Sequence, residues 1–251
     1  YNTAMISGLF HSFIFQPLYN ALVFLVGAMP GGDVGLAIIA LTFFVRLVLF
    51  PLSLKASRAQ LIMRTIEPER ALLQEKFKND REALARGTMA LFRTHKVNPF
   101  ASFLFILVQL PIIIGLYLVF YREGGAASFD PSLLYSFVAA PSTVSFSFLG
   151  LIDLTGKSLV LALAVGVLQF FYARMVTPAT TGSSPAGSSF MNDLARSMNI
   201  QMRYGFPVVL GVISYFATAA VALYFVASNI FGIVQELVVK QLHKPAWRKK
   251  L

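Results

Sequence analysis

The sequence predicts an all-α integral membrane protein, and three observations carry that prediction. Of 251 residues, 57% are hydrophobic and 13% are Asp, Glu, Lys or Arg, with a mean hydropathy of +0.70; soluble domains hold about one-quarter charged residues. The apolar residues gather in runs, several of them near the roughly 20 residues that a helix needs to cross a bilayer. The basic residues fall between those runs rather than on one face. The net charge of +10 therefore reads as a topology signal and as an attraction for anionic lipid or ribosomal RNA, with no case for DNA. The absence of cysteine excludes disulfides, a thiol nucleophile, Cys-based zinc and iron–sulfur clusters. The chain opens at Tyr1, so removal of a signal, a lipoprotein leader or an upstream domain stays open.

Residues 1–33 hold a short apolar stretch, Pro17–Met29, with Tyr19 and Asn20 inside it. That length suits an interfacial helix on the outer surface better than a sixth span. Pro30-Gly31-Gly32 then turns the chain. Residues 34–55 read as the first span, built on the apolar run Leu36–Leu54. Between Lys55 and Lys96 lie ten basic residues, which places 56–98 in the cytoplasm. Helical-period apolar positions, Pro68 at a first turn and Asn79-Asp80 as turn and N-cap make this segment a hairpin of two antiparallel helices. So small a pair has little core and is expected to move relative to the membrane region.

The second span is 99–121, with Pro111 as a kink; the extracytoplasmic loop is 122–156 and the third span 157–176. A cytoplasmic loop, 177–203, opens with the Gly/Ser/Thr-rich stretch Thr177–Ser189, flexible by composition. The apolar block Tyr204–Gln235 must cross twice, because basic residues flank both its ends. It divides into spans at 204–217 and 218–239, and the basic tail 240–251 lies inside. Five spans result, with the N-terminus outside and the C-terminus in the cytoplasm.

Arg46 is the only charge in Leu36–Leu54. A guanidinium at membrane depth costs ~3 to more than 10 kcal/mol, so a hydrated cavity or a partner has to sustain it. Measured along an unbroken helix from Lys55, it lies ~14 Å above the inner edge, near mid-membrane. No intramembrane carboxylate can pair with it: Asp33 and Asp153 belong outside and Glu236 to the inner end of the last helix. Gln109, Gln169, Ser214, Ser228 and Asn229 are polar groups within apolar runs. Each alone suits an interhelical hydrogen bond, worth about 0.6–2 kcal/mol. Together with Arg46 and Thr42 some can line one groove; Gln109 and Gln169 are assigned to that lining, Ser228 and Asn229 to packing. His11, His95 and His243 show no metal-ligand spacing, and neither a P-loop nor a hydrolytic motif occurs. The sequence predicts no catalytic residues, metal or cofactor.

The ordered motifs QPLYNALVFL (16–25), TFFVRLVLFPLSLKASRAQ (42–60), HKVNPFASFLFILVQLPIIIGLY (95–117), FLGLIDLT (148–155) and ALYFVASNIFGIVQ (222–235) resemble those of the YidC-type membrane protein insertases, relatives of the mitochondrial Oxa and chloroplast Alb proteins. The resemblance covers nearly all of Gln16–Gln241. It implies five transmembrane helices around a hydrophilic groove open to the cytoplasm and lipid, and ATP-independent insertion of membrane proteins, with chaperone activity, in a bacterial plasma membrane. The groove arginine falls on Arg46, a groove hydroxyl on Thr42, a polar position on Gln109, and an aromatic pair on Tyr224 and Phe225. Phe225 stands where the family carries Tyr or Trp, so one hydrogen-bonding contact is missing. Thr218-Ala219-Ala220 replaces the Pro and Gly of the family's last turn.

Implied partners are nascent membrane proteins, the lipid bilayer, the ribosome and a Sec-type translocon. The cytoplasmic contacts would come from hairpin 56–98, including Arg70, Lys76, Lys78 and Arg81, and from Lys249 and Lys250 of the tail. A monomer is compatible with the sequence. Two rivals remain: a small anion transporter or channel using Arg46, and a passive assembly scaffold.

Overall fold

The computed structural model describes residues 8–78, 80–98, 107–108, 110–115, 117–119, 129–176, 197 and 200–242. These residues form helices α1 (Gly8–Ala28), α2 (Val34–Val48), α3 (Phe50–Thr65), α4 (Glu67–Lys76), α5 (Arg81–Thr94), α6 (Leu110–Val119), α7 (Leu159–Val176), α8 (Phe206–Phe216) and α9 (Ala219–Leu242). A small antiparallel ribbon joins β1 (Ser147–Phe148) to β2 (Ile152–Asp153), with Ser147 opposite Asp153. Among the described residues α1, α7 and α9 are each long and apolar enough to cross a membrane, and α2 with α3, separated by Leu49, makes a fourth candidate. The fold is thus an all-α membrane architecture. Five expected spans exceed this count because α6 is described only in part and α8 has 11 residues.

The chain divides into two compact units, residues 1–48 with 110–235, and residues 49–109 with 236–251. In the first, the core gathers Leu22, Val23 and Val26 of α1, Ile38 and Leu41 of α2, Val165 of α7 and Leu223 of α9. Helix α1 is longer than the apolar stretch Pro17–Met29 suggests, because Leu9, Phe10, Phe13 and Ile14 extend it backwards through a π-turn at His11–Phe15. Its second half lies along the connection between α6 and α7. Buried Asn20 donates to Leu133 O (2.9 Å) and accepts from Tyr135 N–H (2.7 Å). The Tyr19 hydroxyl accepts from Asp130 N–H at 2.6 Å. These are the polar residues that interrupt the apolar run, and their partners explain why they do.

That connection is more ordered than a plain loop. Val34 N–H donates to Ser145 O (3.0 Å), and Ser145 N–H donates to Gly32 O (2.9 Å). Gly32 has φ +66°, and a Cβ there would stand 2.1 Å from Thr143 O, so glycine is required at this bend. At the other end of the ribbon, Ala219 N–H donates to Gly156 O (2.8 Å) and Ala220 N–H to Leu154 O (3.1 Å). One ribbon therefore holds the starts of α2 and α9. Hydrogen bonds from Ser132 and Thr155, side chain and backbone, hold the Asp130 and Asp153 carboxyls below their ordinary range. Each exposed corner keeps that help above the ordinary carboxylate pKa and loses it as pH falls through the lowered one. Helices α7 and α8 meet at small residues: a Cβ on Gly211 would lie 3.4 Å from Gly166 Cα and 3.4 Å from Ala162 O.

The second unit begins where the expected first span is interrupted. Residues 34–55 do not form one helix: α2 stops at Val48 and α3 starts at Phe50. Pro51 in the first turn of α3 has no N–H and its ring crowds the preceding turn, so the helix breaks just before it. Beyond α3, Asp80 caps α5 by accepting from Ala83 N–H (2.9 Å). Helices α4 and α5 pair with Gly87 against Leu73 and Phe77, and His95 lies 3.1 Å from Glu69. Among the described residues, the core of this unit gathers Ala59, Ile66 and Val97 with a few half-buried neighbours. Buried Ser57 also donates to the Glu236 carboxylate at the end of α9.

Asn20→Ala removes both halves of the clasp on 133–135, leaving Leu133 O with only the long bond from Gln16 Nε2 (3.5 Å) and the Tyr135 N–H without its acceptor. The expected cost is about 2–4 kcal/mol, read as a fall in melting temperature and faster amide exchange confined to 130–136. Unchanged exchange there would contradict the clasp.

Candidate functional site

Arg46 sits in the last turn of α2, where the carbonyl end of the helix favours a cation. It is half-buried, its Nε is fully buried without a hydrogen-bond partner, and it makes no ion pair among the described residues. The break at Leu49 removes the unbroken helix along which its depth is measured from Lys55. Counted instead from Val34, Arg46 lies ~18 Å down α2 at 1.5 Å per residue.

The same count places other polar groups. Gln169, buried, is ~15 Å down α7 from Leu159, and Ser228 and Asn229 are ~14–15 Å down α9 from Ala219. Arg46, Ser228 and Asn229 thus each lie ~14–18 Å along helices whose starts are tied to one ribbon. Ser228 Oγ and Asn229 Nδ2 are buried without a hydrogen-bond partner among the described residues. Both side chains are packed, and these two atoms make no interhelical hydrogen bond among the described residues. Sequence inspection alone cannot detect this, since a satisfied and an unsatisfied Asn look alike in an apolar run.

Thr42, one turn before Arg46, is buried and donates its hydroxyl to Ile38 O at 2.7 Å within its own helix. Only its lone pairs remain for another group. Tyr224 belongs to the core and Phe225 packs beside it, ring centroids 5.4 Å apart. Both lie ~8–9 Å from the start of α9, nearer the ribbon than Arg46 is. The rings of Phe43 and Phe231 meet edge to face at 5.9 Å between α2 and α9. Apolar side chains of α2, α7, α8 and α9 such as Phe44, Leu163, Val212 and Val234 are exposed, as lipid contact requires.

Gln109, Lys249 and Lys250 lie outside the described residues, as do most of 177–203 and the Arg81 side chain. In the second unit Arg70 pairs with Glu67 (3.3 Å), the Lys76 ammonium lies 5.4 Å from the Phe77 ring centre, and Lys78 is exposed. No group of three metal-ligating side chains occurs among the described residues.

Residues 25–246 match the family profile described as 60Kd inner membrane protein. Several relatives carry the name Membrane protein insertase YidC. One from Clostridium tetani is 31% identical over 215 residues, 86% of this chain and 85% of its own length. One from Oceanobacillus iheyensis is 32% identical over 223 residues, 86% of this chain and 77% of its own. One from Fusobacterium nucleatum is 30% identical over 230 residues, 91% and 97% of the two chains.

An unsatisfied buried donor costs stability, so Asn229→Leu and Ser228→Ala should leave the unfolding free energy in detergent unchanged or raised by up to about 1–2 kcal/mol. A loss above ~1 kcal/mol would mean that these groups are hydrogen-bonded after all.

Proposed function

The chain belongs to the 60Kd inner membrane protein family of YidC-type insertases, and from that membership and the site geometry we propose that it inserts nascent membrane proteins into a bacterial plasma membrane without ATP. No covalent chemistry is assigned to it. The observation that carries the mechanism is the Arg46 guanidinium, whose Nε is buried in an apolar run without a partner among the described residues. Native helix packing satisfies nearly all its buried polar groups, and a buried guanidinium nitrogen left without a partner marks a place where polar groups of a client are received. Five spans surround the site, with Gln109 and Gln169 completing its lining.

The orientation follows the distribution of basic residues: N-terminus and 122–156 outside, hairpin, 177–203 and tail in the cytoplasm. Helix α1 is long enough to span, but Gln16, Tyr19, Asn20 and Gly27 all touch the 130–141 segment. Contacts along the whole second half of α1 favour a helix lying at the outer surface. An incoming hydrophobic segment with a short polar tail enters the groove from the cytoplasm. Arg46 and the nearby donors hold acidic or polar groups of the tail part-way across, which shortens the low-dielectric barrier. The apolar segment then leaves sideways into lipid, and burial of its surface drives the step at ~25 cal/mol per Å². The basic hairpin, the 177–203 loop and the tail, with Lys249 and Lys250, receive the ribosome or a client, and a Sec-type translocon is a further partner.

Purified protein in liposomes, given a single-span client with an acidic tail, should yield a protease-protected tail without ATP. Arg46→Ala should lower the yield several-fold for acidic tails and less for neutral ones, and Arg46→Lys should restore part of it. Equal yields for every client would remove Arg46 from the mechanism. Solute flux without protection would favour a transporter, and neither activity a scaffold.

A further inference from the structure

We propose that the tip of the β-ribbon, Leu149-Gly150-Leu151, is a membrane anchor that enters the headgroup–acyl boundary of the leaflet on its own side. Leu149 has φ +51° and Gly150 φ +71°, and Leu151 N–H donates to Phe148 O at 2.9 Å to close the turn. Turn positions with two left-handed residues favour Asn and Gly. A leucine there is conformationally disfavoured, and here it is also 57% exposed, while Leu151 is 84% exposed. In water both features are costs; in lipid the side chains are at home.

The depth of the tip is fixed by hydrogen bonds. Leu149 N–H donates to Asp33 Oδ2 at 2.8 Å, and Asp33 immediately precedes α2. At the base of the ribbon, Leu154 O and Gly156 O accept from the first residues of α9. The Phe148 ring covers Gly35, in the first turn of α2, so closely that a Cβ there would stand 2.3 Å from it. The ribbon thus lies across the helix starts instead of rising away from them, at the level where the apolar spans begin. Around this level further apolar surface is open: Leu159 and Val160 at the start of α7, and Phe216 at the end of α8, 68% exposed. Lys157 places its ammonium 5.4 Å from the Phe216 ring centre and 5.9 Å from that of Tyr215. A cation over aromatic rings beside exposed aliphatics is the pattern of a membrane interface. The occupant is therefore the lipid that already covers α7 and α8, not another protein.

The inference rests on the membrane reading of the fold and not on insertase activity. Because the chain has no cysteine, single substitutions Leu151→Cys and Leu149→Cys can carry nitroxide labels in the full chain reconstituted in liposomes. Leu163→Cys, on the exposed face of α7, serves as the lipid reference and Ser142→Cys as the water reference. Collision with oxygen, which partitions into lipid, is compared with collision with a water-soluble nickel chelate. At positions 151 and 149 the oxygen-to-nickel ratio should approach that of 163 and exceed that of 142 several-fold. A ratio equal to that of 142 overturns the anchor, and shielding from both reagents overturns it in favour of a protein contact. Failure of the membrane reading itself would appear separately, as a water-like ratio at 163.

Discussion

The Asp33 carboxylate is the joint on which the larger unit depends. One oxygen accepts from Leu36 N–H (3.0 Å) and caps α2; the other accepts from Leu149 N–H (2.8 Å) and holds the ribbon. A cap and a tertiary clasp made by one side chain are cooperative, since ordering either half orders the other. The ribbon in turn holds the start of α9 through Leu154 and Gly156. Two helices far apart in sequence are thereby tied to one ribbon.

Hydrogen-bond partners give the polar groups their meaning. An Arg, a Ser and an Asn scattered over two helices are each tolerable packing features in isolation. Here Arg46 Nε, Ser228 Oγ and Asn229 Nδ2 are all buried without a partner among the described residues. Arg203 Nε, Ser214 Oγ and Thr218 Oγ1 are likewise buried without a partner among the described residues, whereas other polar groups are satisfied. Thr42 bonds its own helix, and Asn20 meets two backbone groups of the 133–135 segment and one of its own helix. The contrast between satisfied and unsatisfied sites supports a receiving role for the latter.

Helix α2 shows why sequence and structure disagree where they do. Leu36–Leu54 is a continuous apolar run, and hydropathy reads it as one rod. Pro51 breaks that rod at Leu49, and Arg46 becomes a last-turn residue instead of a mid-helix one. The proline is visible in the sequence, but apolar runs tolerate proline kinks in membranes, so its presence does not by itself fix a break. Helix α1 errs in the other direction. A 13-residue apolar stretch becomes a 21-residue helix, because a flank with Leu9, Phe10, Phe13 and Ile14, interrupted by His11, Ser12 and Gln16, joins it once the backbone is helical.

Local chemistry is what the sequence determined by itself. Composition gave the membrane class, five ordered motifs gave the family, Pro68 and Asp80 gave turn and cap, and the lone charge in Leu36–Leu54 singled out Arg46. These properties depend on residue type and near-neighbour spacing. Tertiary structure alone decided which polar groups are satisfied, since a hydrogen bond between segments more than 100 residues apart, as between Asn20 and Leu133, leaves no local trace. It also decided that two leucines in an ordinary-looking turn stand exposed at the level of the helix starts, because that level is set by Asp33, more than 100 residues away.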